Sequence, residues 1–145
     1  MKFINIVTKS SQLEIDEILL KMSNQDILEI EKIYSSFDFV EYTNTSGNEC
    51  MFCVVDDYEL DRISNCYRKH NINFKFVDLT KDVLYDNNFK INYKNQFGFN
   101  IKERVIELIS NFKYQNTTSD IVLDKIIEKG IESLTDFDHS ILEKV

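Results

Sequence analysis

Residues 38–55, DFVEYTNTSGNECMFCVV, spell a β-hairpin. In DFVEYT (38–43), Phe39 and Tyr42 alternate imperfectly with polar neighbours. Asn44-Thr45-Ser46-Gly47-Asn48 is a turn cluster, with Gly47 placed where a positive φ is wanted. ECMFCVV (49–55) is an apolar run that reads as a buried central strand. A five-residue loop joins the two strands.

Apolar periodicity extends this pattern in both directions. After the hairpin, Asp56 starts a helix with Glu59 three residues on, and Leu60, Ile63 and Tyr67 mark its inner face. His70-Asn71 ends it. INFKFV (72–77) alternates cleanly, so a further strand is expected there. Before the hairpin stand two helical runs. Ser11 and Glu14 form a capping-box pattern ahead of Leu13, Ile15, Ile18, Leu19 and Met22. Ser23-Asn24 breaks that run, and Ile27, Ile30, Ile33, Tyr34 and Phe37 continue it on one face. KFINIV (2–7) reads as the first strand. The order to residue 77 is therefore βαββαβ with a split first helix, a ferredoxin-like α+β arrangement with four mainly antiparallel strands and helices on one face.

The remainder reads as helical after a short transition. Thr80 is expected to cap a turn through Leu84 and Tyr85. FKINYK (89–94) alternates like an edge strand guarded by Lys90 and Lys94. Asn100 and Glu103 suit the start of a helix carrying Ile101, Val105, Leu108, Ile109 and Phe112 on one stripe. Ser119 or Asp120 is expected to cap the next helix, with Leu123, Ile126 and Ile127 inward and Gly130 as its left-handed stop. Thr135 and Asp138 cap a last short helix. Residues 1–94 thus read as the ferredoxin-like core and 95–145 as a C-terminal helical appendage. That appendage either covers the open face of the sheet or stands off as a subdomain.

Composition narrows the classes. The chain has 145 residues, enough for one self-sufficient domain. Lys and Arg number 17 against 25 Asp and Glu, a net charge of −8. Such a balance disfavours nucleic acid, whose binding needs clustered cations. The mixed basic and aromatic segment 89–99 is where single-stranded nucleic acid would bind if any did. With three Cys, no long apolar run and no signal-peptide pattern, the expected setting is cytoplasmic with free thiols.

Two clusters stand out as candidate sites. Cys50, Cys53, Cys66 and His70 have the spacing of a C2HC zinc module. Cys50 and Cys53, three apart on a strand, should nevertheless point to opposite faces. The run Asp56, Asp57, Glu59 and Asp61 suits either a helix N-terminus or an acidic interface. Catalytic templates are poorly matched. There is no glycine-rich phosphate loop, no His-Glu-x-x-His and no Gly-x-Ser-x-Gly.

Segment 120–142, DIVLDKIIEKGIESLTDFDHSIL, resembles the C-terminal helical tail of many rhomboid-family membrane proteins of the Bacteroidetes. The shared elements are Leu123 to Ile126, Gly130, Ser133 to Thr135 and Leu142. Asp138-His139 departs from the acid-lysine pair usual there. The resemblance implies a bacteroidete source and a small cytosolic helical hairpin for protein contacts. It carries over no catalytic residue, because the rhomboid transmembrane domain and its serine centre lie outside the matching segment.

The expectation from sequence is a non-enzymatic, cofactor-free protein-binding module of the inhibitor, immunity or anti-defence kind. It would present Asp56, Asp57, Glu59 and Asp61, with Asp136 and Asp138 as a second patch, to a basic protein partner. The alternatives are a ferredoxin-like small-ligand sensor acting as a homodimer, and the C2HC zinc module.

Overall fold

The structure is a computed structural model and describes residues 1–89 and 99–144. Four strands form one sheet: β1 (Lys2–Ser11), β2 (Asp38–Thr43), β3 (Asn48–Val55) and β4 (Phe74–Asp78). Their order across the sheet is β2-β3-β1-β4, and every neighbouring pair is antiparallel. Between β1 and β2 lie α1 (Gln12–Leu20) and α2 (Asn24–Tyr34); α3 (Asp57–Lys69) joins β3 to β4. Helices α4 (Thr80–Tyr85), α5 (Phe99–Asn116), α6 (Ser119–Lys129) and α7 (Asp136–Glu143) follow. The molecule is α+β, and no helix among the described residues is long and apolar enough to cross a membrane.

The hairpin of β2 and β3 is anchored at its turn. The Asn44 side-chain oxygen accepts from the backbone N–H groups of Ser46 and Asn48, and Gly47 takes φ +81°. Only Asn44 to Gly47 separate the strands, because Asn48 already belongs to β3. Period-two alternation then sorts the strand residues onto two faces. Ile4, Ile6, Met51, Cys53 and Val55 enter one apolar cluster with Ile33, Leu60, Ile63 and Tyr67. Phe3, Val40, Phe52 and Val54 enter the other with Val83, Leu84, Val105, Leu108 and Phe112. One sheet therefore carries two cores. Helices α1–α3 cover the first face and α4–α5 the second, so of the two expected arrangements the later helices take the one that covers the open face.

Several sequence expectations need adjustment. β1 runs four residues further than expected, to Ser11, with a register shift between Val7 and Ser11. β4 begins at Phe74, while the buried Ile72 stands just ahead of it. Thr80 does not cap α4; its hydroxyl accepts from the Phe3 backbone N–H at 2.9 Å, tying α4 to β1. Thr118, rather than Ser119 or Asp120, caps α6. The inner face of α6 is Val122 and Lys125, while Leu123 and Ile127 are exposed. From Lys90 onward, the edge strand expected over 89–94 lies outside the described residues, as does most of the basic and aromatic segment 89–99.

Candidate functional site

The acidic run opens α3, and much of it is used by that helix. Asp56 is the N-cap: its carboxylate accepts from the Glu59 N–H at 2.7 Å, and the Glu59 carboxylate accepts from the Asp56 N–H at 2.9 Å. This reciprocal box satisfies two otherwise unpaired helix donors. Asp57 pairs with Lys2 at 2.7 Å, and this hydrogen bond and charge hold its pKa below the ordinary carboxylate value. Asp61 is exposed. Tyr58 lies among these acids, 69% exposed, with the Arg62 guanidinium 5.6 Å from its ring centre.

The expected second patch does not form as a pair. Asp136 is exposed, but Asp138 is 1% exposed and cannot present its charge to a partner. Its carboxylate accepts from Lys125 Nζ at 2.8 Å, from the Thr135 backbone N–H at 3.0 Å and from Asn87 Nδ2 at 3.4 Å. Lys125 is 2% exposed and also donates to Asn87 Oδ1 at 2.9 Å. The group closes α6 onto α7 and belongs to the interior.

The zinc spacing is not brought together. Cys53 faces the first core, with its pKa pushed up to about 12 by burial. Cys50 neighbours Tyr42, which packs into the second core; burial also raises its pKa. Cys66 is half-buried on α3, and its pKa is likewise raised by burial. Two of the four would-be ligands thus leave opposite faces of β3. Among the described residues, no three His, Cys, Asp or Glu side chains converge in a way that could hold a metal ion.

The geometry instead brings together a site that the motifs do not announce. Beneath α1 lies a cavity of about 280 Å³. Helix α1 contributes Ile15, Ile18 and Leu19, and Met22 follows it. Helix α2 adds Ile30 and Tyr34. The sheet floor includes Ile6 and Met51, and α3 closes one side with Cys66 and Tyr67. No residue of α1 is fully buried, and Leu13 and Leu20 point to solvent. The helix is held by its Ser11 cap and a partial apolar stripe, so it roofs the space without filling it.

Polar groups in the cavity wall are few. The Tyr34 and Tyr67 hydroxyls hydrogen-bond each other at 2.8 Å. Burial pushes the Tyr34 pKa up to about 12 and raises that of Tyr67, so both remain protonated at neutral pH. The Thr8 hydroxyl donates to the Glu49 carbonyl at 2.7 Å. Glu41 and Glu49 also line the cavity. In the register, Glu41 faces Met51 and Thr43 faces Glu49, which makes the two glutamates diagonal neighbours on the first face. Partial burial, and then the Glu49 charge, raise the Glu41 pKa, and the Arg104 charge offsets part of this. No family model, curated protein or solved structure matches the chain.

The sequence reading lists most of these residues as helix or strand interior. What it lacks is the gap between them. A break at Ser23, followed by a helix with its own Ser23 cap, is the one local sign that α1 does not pack as a continuation of α2.

Proposed function

We propose that this protein is a binding module whose site is the apolar cavity between α1, α2, α3 and the sheet. The observation that carries this reading is the cavity itself: about 280 Å³ of mainly aliphatic wall, beside two protonated tyrosine hydroxyls, under a helix that buries none of its own residues fully. Close-packed interiors rarely leave such a volume empty, and an apolar void of roughly 150 Å³ already suffices for benzene. The strand order and antiparallel pairing support a ferredoxin-like reading of residues 2–78, an architecture in which small-ligand sensing is common.

A titration with neutral alcohols from hexanol to decanol, followed by amide chemical shifts, tests this reading. Shifts should concentrate on α1, α2 and the first face of β3. Ile18→Trp fills the space and should abolish them while leaving the fold intact by circular dichroism. Saturable binding unaffected by Ile18→Trp, or no binding at all, would reject the cavity as the site.

A second reading rests on Tyr58. An exposed aromatic ring among Asp56, Asp57 and Asp61 has the composition of an interface anchor, and it supports the expectation of an acidic inhibitor that occludes a basic protein. Glu59 serves the capping box, so charge reversal belongs at Asp57 and Asp61. Asp57→Lys with Asp61→Lys should slow association with a nuclease-resistant, co-purifying partner by about tenfold or more. Unchanged association kinetics would remove this surface.

A further inference from the structure

The carboxylates of Glu41 and Glu49 narrow the chemistry of a cavity ligand. Both belong to the cavity wall and both sit on the first face of the sheet. Glu49 accepts a hydrogen bond from the Thr43 hydroxyl at 3.2 Å. Among the described residues, neither glutamate forms an ion pair. The other polar wall groups are already engaged: the tyrosine hydroxyls with each other, and Thr8 with backbone carbonyls of Ser10 and Glu49. The space therefore offers an aliphatic body and one strongly polar corner, and that corner is negative. A carboxylate or phosphate head would meet two like charges there. A neutral head would gain nothing from those charges, one of which, Glu41, is exposed and also feels the Arg104 charge. A cation would be attracted to both.

We infer that the cavity takes a straight-chain aliphatic amine, its alkyl chain against Ile15, Ile18 and Met22 and its ammonium group beside Glu41 and Glu49. The size follows from the volume: at roughly 30 Å³ per small group, as for liquid water, the space accepts about nine non-hydrogen atoms. Octylamine has that size. A primary alkylamine is protonated at neutral pH, as a lysine side chain is. The inference rests on the cavity being the binding site, and adds to it the charge of the ligand.

The experiment compares octylamine, 1-octanol and octanoate on the full chain at pH 7 by calorimetric titration. Octylamine should bind about five- to tenfold tighter than octanol, the scale of one partly screened ion pair. Octanoate should bind weakest. Glu41→Gln with Glu49→Gln should bring the octylamine affinity to within about twofold of the octanol affinity measured on the same variant. Raised salt should erode the amine preference of the unmodified chain, a readout that stands even if the double variant folds poorly. If none of the three binds, the cavity reading itself fails. If octanol binds and octylamine does no better, or octanoate leads, the cavity stands and the amine inference is overturned. An amine preference that survives both glutamine substitutions also overturns it.

Discussion

At the scale of single residues, the interior depends most on Lys125 and Asp138. Each is almost wholly buried, and each charge has the other within 2.8 Å. Removing one partner of such a pair leaves the other charge uncompensated in a poor solvent. Lys125→Met is therefore expected to cost about 3–5 kcal/mol in urea unfolding. A loss below about 1 kcal/mol would mean that Asn87 and the Thr135 cap hold Asp138 without help. The pair also sets an acid limb of stability. Burial alone would raise the Asp138 pKa, but the Lys125 hydrogen bond, the Thr135 N–H and the Lys125 charge outweigh it, and the folded value lies below 3.8. The carboxylate's contribution is then complete above 3.8 and lost as pH falls through the lower folded value. Lys125→Met should weaken this acid dependence, which urea midpoints measured between neutral pH and the acid transition would reveal. The sequence shows the Asp138 part of the Thr135 cap, but not the pairing of Asp138 with Lys125. Lysine and aspartate on short helices read as solvated by default, and here the partners stand across a turn, 13 positions apart.

At the scale of elements, the caps were the most legible features and the buried faces the least. Ser11, Asp56 and Thr135 accept backbone hydrogen bonds at the starts of their helices as their spacing suggests, and Ser23, expected only as a break, caps α2 as well. A cap is local chemistry within four residues, so spacing alone exposes it. Two exceptions stand out: Thr80 accepts from Phe3 instead of capping α4, and Thr118 stands in a run of polar residues each able to cap, among which periodicity does not choose. The α6 face departs from its apolar periodicity for a different reason. Leu123 and Ile127 are the larger aliphatics, but α6 meets its neighbours through Val122 and a paired Lys125. Helix α1 is the element on which the candidate site depends. With none of its residues fully buried, its persistence rests on its cap and on Ile15 and Ile18 packing against the first core. Ser11→Ala should cost about 1 kcal/mol, and the cost should appear locally. Hydrogen exchange is expected to show faster exchange along α1 with α3 unaffected, since α3 buries Leu60, Ile63, Ser64 and Tyr67 and keeps its own box. Equal acceleration in α1 and α3 would mean that α1 opens only with the whole molecule.

At the scale of the whole molecule, the question is whether two cores make one cooperative unit. The composition turns helical near residue 94, where the sequence marks a core and a helical part packed as one unit. The structural reason for such unity is that alternate residues of the same two inner strands supply both cores. Phe3 and Ile4 on β1, and Phe52 and Cys53 on β3, face opposite ways and sit in different clusters. Damage on one face must therefore be transmitted through strands that the other face also needs. Phe52→Ala tests this. It empties a fully buried aromatic position beside Phe3 and Tyr42, and should cost about 3–5 kcal/mol. If the sheet couples the faces, amides of α3 on the first face and α5 on the second should lose protection equally, and one transition should describe unfolding by every probe. If only α5 loses protection, the helices of the second face open as a separate unit. In that case the cavity under α1 would keep its affinity for an alcohol probe in the Phe52→Ala protein. In the coupled case, affinity measured against total protein should fall with the folded fraction, because a ligand that binds only the folded state reports that fraction directly.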